Sequence, residues 1–231
     1  ALFVNDDEVK WIESEGKAWE VRLRKAVIKN KIYVFALLFD RTGFRRLQQR
    51  IDAIHSAGKS FGEIDSDLLT SVDMASRLRL VEERIIDAIH KILDFDNFEI
   101  RLLNKKPNQL ELVISKNLPP LEIGEVIYSG LTNNGITGHV AFTGKSYICD
   151  DVSKDPLYTR AHDHSASSIT VPLFLGESVI GTLNAESFKL KAFDETDRQL
   201  TEILGRYIAD AMHLLDLLLI ERFTTNEKIS K

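Results

Sequence analysis

Gly138-His-Val-Ala-Phe-Thr-Gly144-Lys145-Ser146 is the stretch whose chemistry is easiest to name. A glycine followed by Gly-Lys-Ser is the layout of a phosphate-cradling loop, where backbone N–H groups surround the phosphates and the lysine meets their charge. The spacing fails. Five residues separate the two glycines here, and that loop needs four. Val140, Ala141 and Phe142 stand where the cradle should be and read as the apolar core of a helix. The stretch therefore predicts a helix that starts near Gly135 and ends at Gly144, with glycine as its C-cap.

His162-Asp163-His164 sets two imidazoles two residues apart, with Asp150, Asp151 and Asp155 as the nearest acids upstream. Strong zinc motifs have a fixed ligand spacing that this loop lacks, so a solvated loop is expected and no metal site. Cys149 is the single cysteine. With no second thiol to resolve a sulfenate, it reads as a small packed side chain at a strand end. Asp150-Asp151 is an acid pair capable of proton transfer, but aspartates at a turn ordinarily serve the turn itself. No Ser-His-Asp or Cys-His set follows a nucleophile elbow, and no Gly-x-Gly-x-x-Gly occurs. The expectation is a protein that is not an enzyme, and the sequence names no cofactor.

Composition narrows the partners. The chain has 231 residues, 44% apolar and 28% charged, the balance of a globular protein with room for one large or two small domains. A net charge of −5 and a pI near 5.7 argue against a nucleic-acid groove. No apolar run reaches the roughly 18–20 residues of a membrane span. The nearest, Leu214–Ile220, is broken by Asp216. The opening ALFVNDDEVKW is unlike a signal peptide and lacks Met, so the chain is read as a fragment. A lone cysteine fits a reducing cytoplasm.

Periodicity supplies the elements. AWEVRLRKAVI and IYVFALLFD read as two strands around a KNK turn. The second is apolar throughout, so both its faces are expected to be covered. A helix follows, with Phe44, Leu47, Ile51 and Ile54 on one stripe. Residues 58–66, with two glycines and two serines, read as a linker, with Asp65 or Ser66 capping the next helix. That helix, 67–93, places Met74, Leu78, Val81, Ile85, Ala88 and Ile92 on a heptad-like seam. A second long helix, 195–222, repeats the spacing with Leu204, Ile208, Ala211, Leu215 and Leu218. Further apolar residues off both seams suggest a homodimer through these two helices. Between them come NFEIRLLNK, QLELVISK, GEVIYS, KSYIC, SSITVPLFL and ESVIGTLNAESF, the last two joined as a hairpin by LGES. The fold class is α+β, a six-stranded antiparallel sheet with helices on one face.

Residues 67–222 resemble GAF domains, through GITGHVAFTGK, ICDDVSKDPLY, ITVPLFLGESVIGTLNAES and AFDETDRQLTEILGRYIADAM. The resemblance implies a sensory module that takes a small molecule under loops on the sheet face away from the helices. It implies Asp151, Tyr158, His162, His164 and Ser167 as loop contacts, and Thr170, Asn184 and Glu186 from the sheet. The loop after Asp-Pro is a lid in such domains, and protonated His162 and His164 would donate to an anionic ligand. Asn184, Phe193 and Asp197 are similar to the cyclic-nucleotide signature of some GAF domains, but Ala185 replaces its lysine and Arg198 its glutamate. Asp194 or Asp197 serves equally as a helix cap. Upstream, residues 1–57 resemble the C-terminal part of a PAS domain and its exit helix, with Asp40-Arg41-Thr42 before the helix. Residues 223–231 then read as the start of a linker to an output module outside this chain. The alternatives are a structural dimerisation module without ligand, a cyclic-nucleotide binder, and a sulfoxide reductase of GAF fold, which would need several cysteines.

Overall fold

The structure, a computed structural model, describes residues 2–62, 74–104, 108–117, 127–131, 134–159 and 165–229. Side chains are described up to residue 213, apart from those of residues 2–8, 62 and 74–78. The chain divides into two compact units, Ala1–Asp52 and Ala53–Lys231, and each is described by itself.

In the first unit, β1 (Leu2–Ser14), β2 (Lys17–Ile28) and β3 (Lys31–Asp40) form an antiparallel meander. Its turns hold Glu15 and Gly16 at φ 52° and 75°, and Lys29 and Asn30 at φ 48° and 59°. Positive φ at both central residues is the turn geometry whose twist matches the strands it joins. Helix α1 (Thr42–Gly62) follows β3. Thr42 Oγ1 accepts the Ala18 N–H at 3.0 Å, Asp40 Oδ1 accepts the Thr42 N–H at 2.9 Å, and Arg41 Nε donates to Glu20 at 2.9 Å.

Two expectations change here. Strand β1 escapes the sequence reading because Asp6-Asp7-Glu8 interrupts its alternation, and its register with β2 shifts between Val4 and Glu8. Strand β3 is not covered by the described residues: every one of its 10 positions is exposed.

The second unit has the predicted α+β architecture. Its sheet runs in the order β6-β5-β4-β9-β8-β7, antiparallel throughout. The strands are β4 (Asn97–Leu103), β5 (Gln109–Lys116), β6 (Ile127–Tyr128), β7 (Tyr147–Cys149), β8 (Ser167–Leu175) and β9 (Ser178–Ser187). The helices are α2 (Met74–His90), α3 (Gly135–Thr143) and α4 (Glu195–Ile229). Phe98, Ile100, Ile169, Val171, Leu173, Leu183 and Ala185 alternate along β4, β8 and β9 onto one apolar face, and all are essentially buried. Leu204 and Ile208 of α4 and Ile85 and Ile89 of α2 fill the same core. Burying each such side chain contributes roughly 1.5–3 kcal/mol before entropy is counted.

The reading of 58–66 as a linker is corrected. Helix α1 continues to Gly62, and the helix end packs through Ile54, Ala57 and Phe61. A Cβ on Gly58 would come within 2.9 Å of the Tyr207 ring, so this glycine serves a close helix contact and not a break. Residues 63–66, their proposed cap, and the first part of the 67–93 helix lie outside the described residues. Helix α4 continues to Ile229, so 223–229 is helical.

Part of the expected dimer seam packs inside the protomer, while the side chains of Met74, Leu78, Leu215 and Leu218 lie outside those described. Val81, Ile85, Ala88 and Ile92, with Leu204, Ile208 and Ala211, are all buried inside the protomer. Ile203 is the large apolar side chain on this part of α4 that stays exposed, at 45%.

The Asp194–Asp197 cap forms as read: Asp197 N–H donates to Asp194 Oδ1 at 2.8 Å, and Asp194 N–H to Asp197 Oδ2 at 2.7 Å. This is a reciprocal capping box. Helix α3 also ends as read, with Gly144 left-handed at φ 65° and its N–H bonded to Val140 O at 2.9 Å. Gly138 lets α3 press against the chain below it, since a Cβ there would lie 2.3 Å from Tyr128 O. Gly138→Ala is expected to lower stability by about 1–3 kcal/mol, the cost of overpacking a rigid contact. Urea unfolding of both forms checks this, and an unchanged midpoint would show that the contact yields freely.

Candidate ligand-binding site

The alternation that makes one sheet face apolar puts a row of polar side chains on the other. Register sets Asn184 between Glu99 of β4 and Thr170 of β8, Glu186 between Asn97 and Ser168, and Thr182 between Arg101 and Pro172. Strand β7 adds Tyr147 beside Thr170 and Cys149 beside Ser168. These polar residues of β4, β8 and β9 are all buried, Asn184 the least so at 8% exposure. Helix α3 lies across β8 and β9 on this side. Its Ile136 and Val140 enclose Cys149, with Tyr147, Val152, Leu157 and Tyr158 packed against them.

Buried polar groups need partners, and most here have them. Arg101 Nε donates to Glu99 at 3.0 Å, with both side chains under 8% exposed. Thr170 Oγ1 donates to Asn184 Oδ1 at 2.8 Å, Asn184 Nδ2 donates to Glu186 Oε1 at 3.3 Å, and Ser165 Oγ donates to Glu186 Oε2. Three groups break the pattern: Ser168 Oγ, Thr182 Oγ1 and His139 Nδ1 are buried without a hydrogen bond. The Tyr158 hydroxyl, also buried, faces Ser165 and Glu186. Burial and the Glu186 charge push the Tyr158 phenol well above its ordinary range. Tyr147 is satisfied: it donates to Asp155 at 2.8 Å, and burial with that bond raises it to about 12.

The residues inferred from sequence divide accordingly. Thr170, Asn184, Glu186 and Tyr158 come together. Asp151 instead closes its own turn, accepting from Ser153 N–H at 3.1 Å, Ser153 Oγ at 2.6 Å and Lys154 Nζ at 2.7 Å. Ser167 falls on the opposite face from Ser168, because side chains alternate, and it braces the chain after β9 through Lys189 O and Ala192 N–H. His162 and His164 lie outside the described residues. Asn97, Glu99, Arg101, Ser168 and Thr182 were missed. For all but Ser168 the signal was present in NFEIRLL and GTLNAES, where each second residue is polar inside strands otherwise buried on both sides. Among the described residues no three of His, Cys, Asp and Glu converge as metal ligands. A hollow of about 440 Å³ in the first unit, lined by Glu13, Lys17, Thr42 and Arg45, is open to solvent, and its Arg45 and Glu13 already pair at 2.9 Å.

A sheet closed by helices on one face and carrying enclosed polar groups under a short helix on the other is the frame of a compact α+β regulatory domain. The GAF domain pattern matches residues 78–213, and the chain belongs to that family of regulatory and sensory modules. GAF domain-containing protein A of Dictyostelium discoideum is 38% identical over 71 residues, which are 30% of this chain and 45% of that protein. The match thus spans less than half of that relative's length.

Two solved structures share the fold. The GAF domain of a phosphoenolpyruvate-protein phosphotransferase from Coxiella burnetii aligns with TM-score 0.56 at 14% identity, covering 74% of this chain and 96% of that one. Free methionine-R-sulfoxide reductase from Neisseria meningitidis, solved with its substrate, aligns with TM-score 0.53 at 23% identity, covering 68% and 89%. The fold therefore serves a regulatory domain and a reductase alike. Here the one cysteine, Cys149, is 1% exposed, and burial with nearby Asp155 pushes its thiol to about 12, far from a ready thiolate.

The Asp151 turn has a defined acid response. Lys154 and Ser153 hold its carboxyl near 2 in place of the ordinary 3.8. A depressed folded value means that the turn gains from ionised Asp151 above about pH 4 and loses that gain as pH falls toward 2. The Ser153 amide resonance is expected to shift with an inflection near pH 2, and to lose that inflection in Asp151→Asn. An inflection near 4 would show that the turn exerts no hold on the carboxyl.

Proposed function

We propose that this chain is a ligand-binding regulatory protein whose GAF unit takes a small polar molecule between the β4–β8–β9 face and the cover of α3 and the 150–159 turn. The observation that carries this reading is the enclosed polar row with three unpartnered groups, Ser168, Thr182 and His139, beneath the buried Tyr158 phenol. An unmet buried donor or acceptor costs about 1–3 kcal/mol, and a ligand that meets several recovers it. Asn184, Thr170 and Glu186 orient the molecule, and Tyr158 closes over it. His162 and His164 sit in the segment between Tyr158 and Ser165 and are the natural lid contacts.

The upstream meander and α1 are read as the C-terminal part of a PAS-like domain. A three-stranded antiparallel run ending in Asp40-Arg41-Thr42 and a helix supports this, as does the uncovered β3. Homodimerisation through the helices at 67–93 and 195–222 remains part of the reading, with Ile203 exposed for it and Val81, Ile85, Ala88, Ile92, Leu204, Ile208 and Ala211 of the seam turned into the protomer. Such a dimer would pass the state of the site along α4 to an output module, and the cytoplasm is the setting proposed for it.

Native mass spectrometry against a denatured control tests both parts. The expected result is a dimer with added mass that denaturation releases and that Asn184→Leu fails to retain. A ligand-free monomer, still monomeric and unaltered in mass after incubation with cell-extract metabolites, would overturn the reading.

A further inference from the structure

We propose that the ligand presents a cationic nitrogen, as an ammonium, an amidinium or a protonated ring nitrogen, to Glu186; this rests on the ligand-binding reading above. Glu186 is 4% exposed, at the end of β9 where the row of polar groups meets the cover. Its two oxygens accept from Ser165 Oγ and Asn184 Nδ2. Among the described residues, no lysine, arginine or histidine pairs with it.

The neighbours make the contrast plain. Glu99, on the same face, has Arg101 against it at 3.0 Å. Glu20 of the first unit, also buried, has both Arg22 and Arg41. A buried carboxylate without a counter-charge is costly, and two neutral donors offset only part of that cost. Each carboxylate oxygen has a second lone-pair direction, so Glu186 retains acceptor capacity beyond the two bonds it makes.

A second observation points to the same spot. Ser168 is directly opposite Glu186 across the β8–β9 ladder, is 1% exposed, and its Oγ has no partner. The Tyr158 hydroxyl, likewise buried, faces Ser165 and Glu186 from the covering side. One carboxylate, the unpartnered Ser168 hydroxyl and the Tyr158 phenol thus stand around one position. A group with several N–H donors and a positive charge satisfies all three together. A carboxylate or phosphate there would face Glu186 as a like charge, and a neutral carbonyl would leave the charge unmatched.

The test titrates the full chain, ¹⁵N-labelled, with methylammonium chloride, sodium acetate and acetamide at matched ionic strength. The amide resonances of Ser168, Ala185 and Glu186 are followed. Methylammonium is expected to shift them saturably, and acetate and acetamide to leave them in place. Glu186→Gln should weaken the methylammonium response at least tenfold. Ser168→Ala, which removes a hydroxyl with no internal partner and so keeps the fold, should weaken it several-fold. Shifts by acetate or acetamide without methylammonium would leave the site standing and overturn the cation assignment. So would a methylammonium titration unchanged in both variants. No response to any of the three would overturn the site together with its ligand class.

Discussion

The two-residue period of β4, β8 and β9 is the constraint on which the rest depends. Each of these strands is enclosed on both sides, yet its two faces differ in kind. Ile100, Ile169, Val171, Leu183 and Ala185 meet the helices, while Glu99, Arg101, Ser168, Thr170, Thr182, Asn184 and Glu186 face the other way. A slip of one residue in any ladder would drive the charged set into the helix core and expose the apolar set. Register is therefore fixed strongly, and with it the relative position of every polar group in the candidate site. The hydrophobic core and the site are one design seen from opposite faces of the sheet.

This arrangement fixes the polar row through the ladder and leaves a few of its groups without partners. Asn184 is held from Thr170 and reaches Glu186, each at a position set by the ladder and not by a loop. Residues that are fully used stand elsewhere: Asp151 inside its turn, Ser167 bracing the chain after β9, Asp194 and Asp197 capping α4. What remains unpaired is concentrated where α3 and the 150–159 turn meet the sheet. Stability alone would favour apolar residues at Ser168 and Thr182, since neither hydroxyl has an internal partner.

Much of this was legible in the sequence for a physical reason. Strands with strict alternation or dense β-branched runs, and helices with clean caps, declare themselves locally, so the six sheet strands, the Gly135–Gly144 helix and the Asp194–Asp197 cap were all readable. Gly58 misled because a glycine that opens a turn and one that admits a tyrosine ring look alike until Tyr207 is placed beside it. Strand β1 hid behind an acidic bulge. The heptad-like seam of α2 was real, but a 3–4 spacing does not say whether the sheet and α4 of the same chain or a second chain fills it. Within the site, Ser168 was not legible beside Ser167, because parity along β8 cannot be assigned until its pairing with β9 is known.

Strand β8 also bears on how a bound molecule would be felt at a distance. It carries Ser168 and Thr170 toward the candidate site, and Ile169, Val171 and Leu173 between and beyond them toward the helix core. Leu173 and Pro172 O lie close to Gly205 of α4, where a Cβ would already meet Leu173 at 3.3 Å. Site and helix are thus separated by the thickness of one strand, with no flexible segment between them. A close-packed core transmits a small displacement as a change of packing state because it has little free volume to absorb it. The sign of any effect on α4 depends on which packing the ligand binds more tightly, since a molecule with equal affinity for both shifts nothing. At Gly205 any approach of β8 toward α4 brings side chain against backbone without an intervening Cβ.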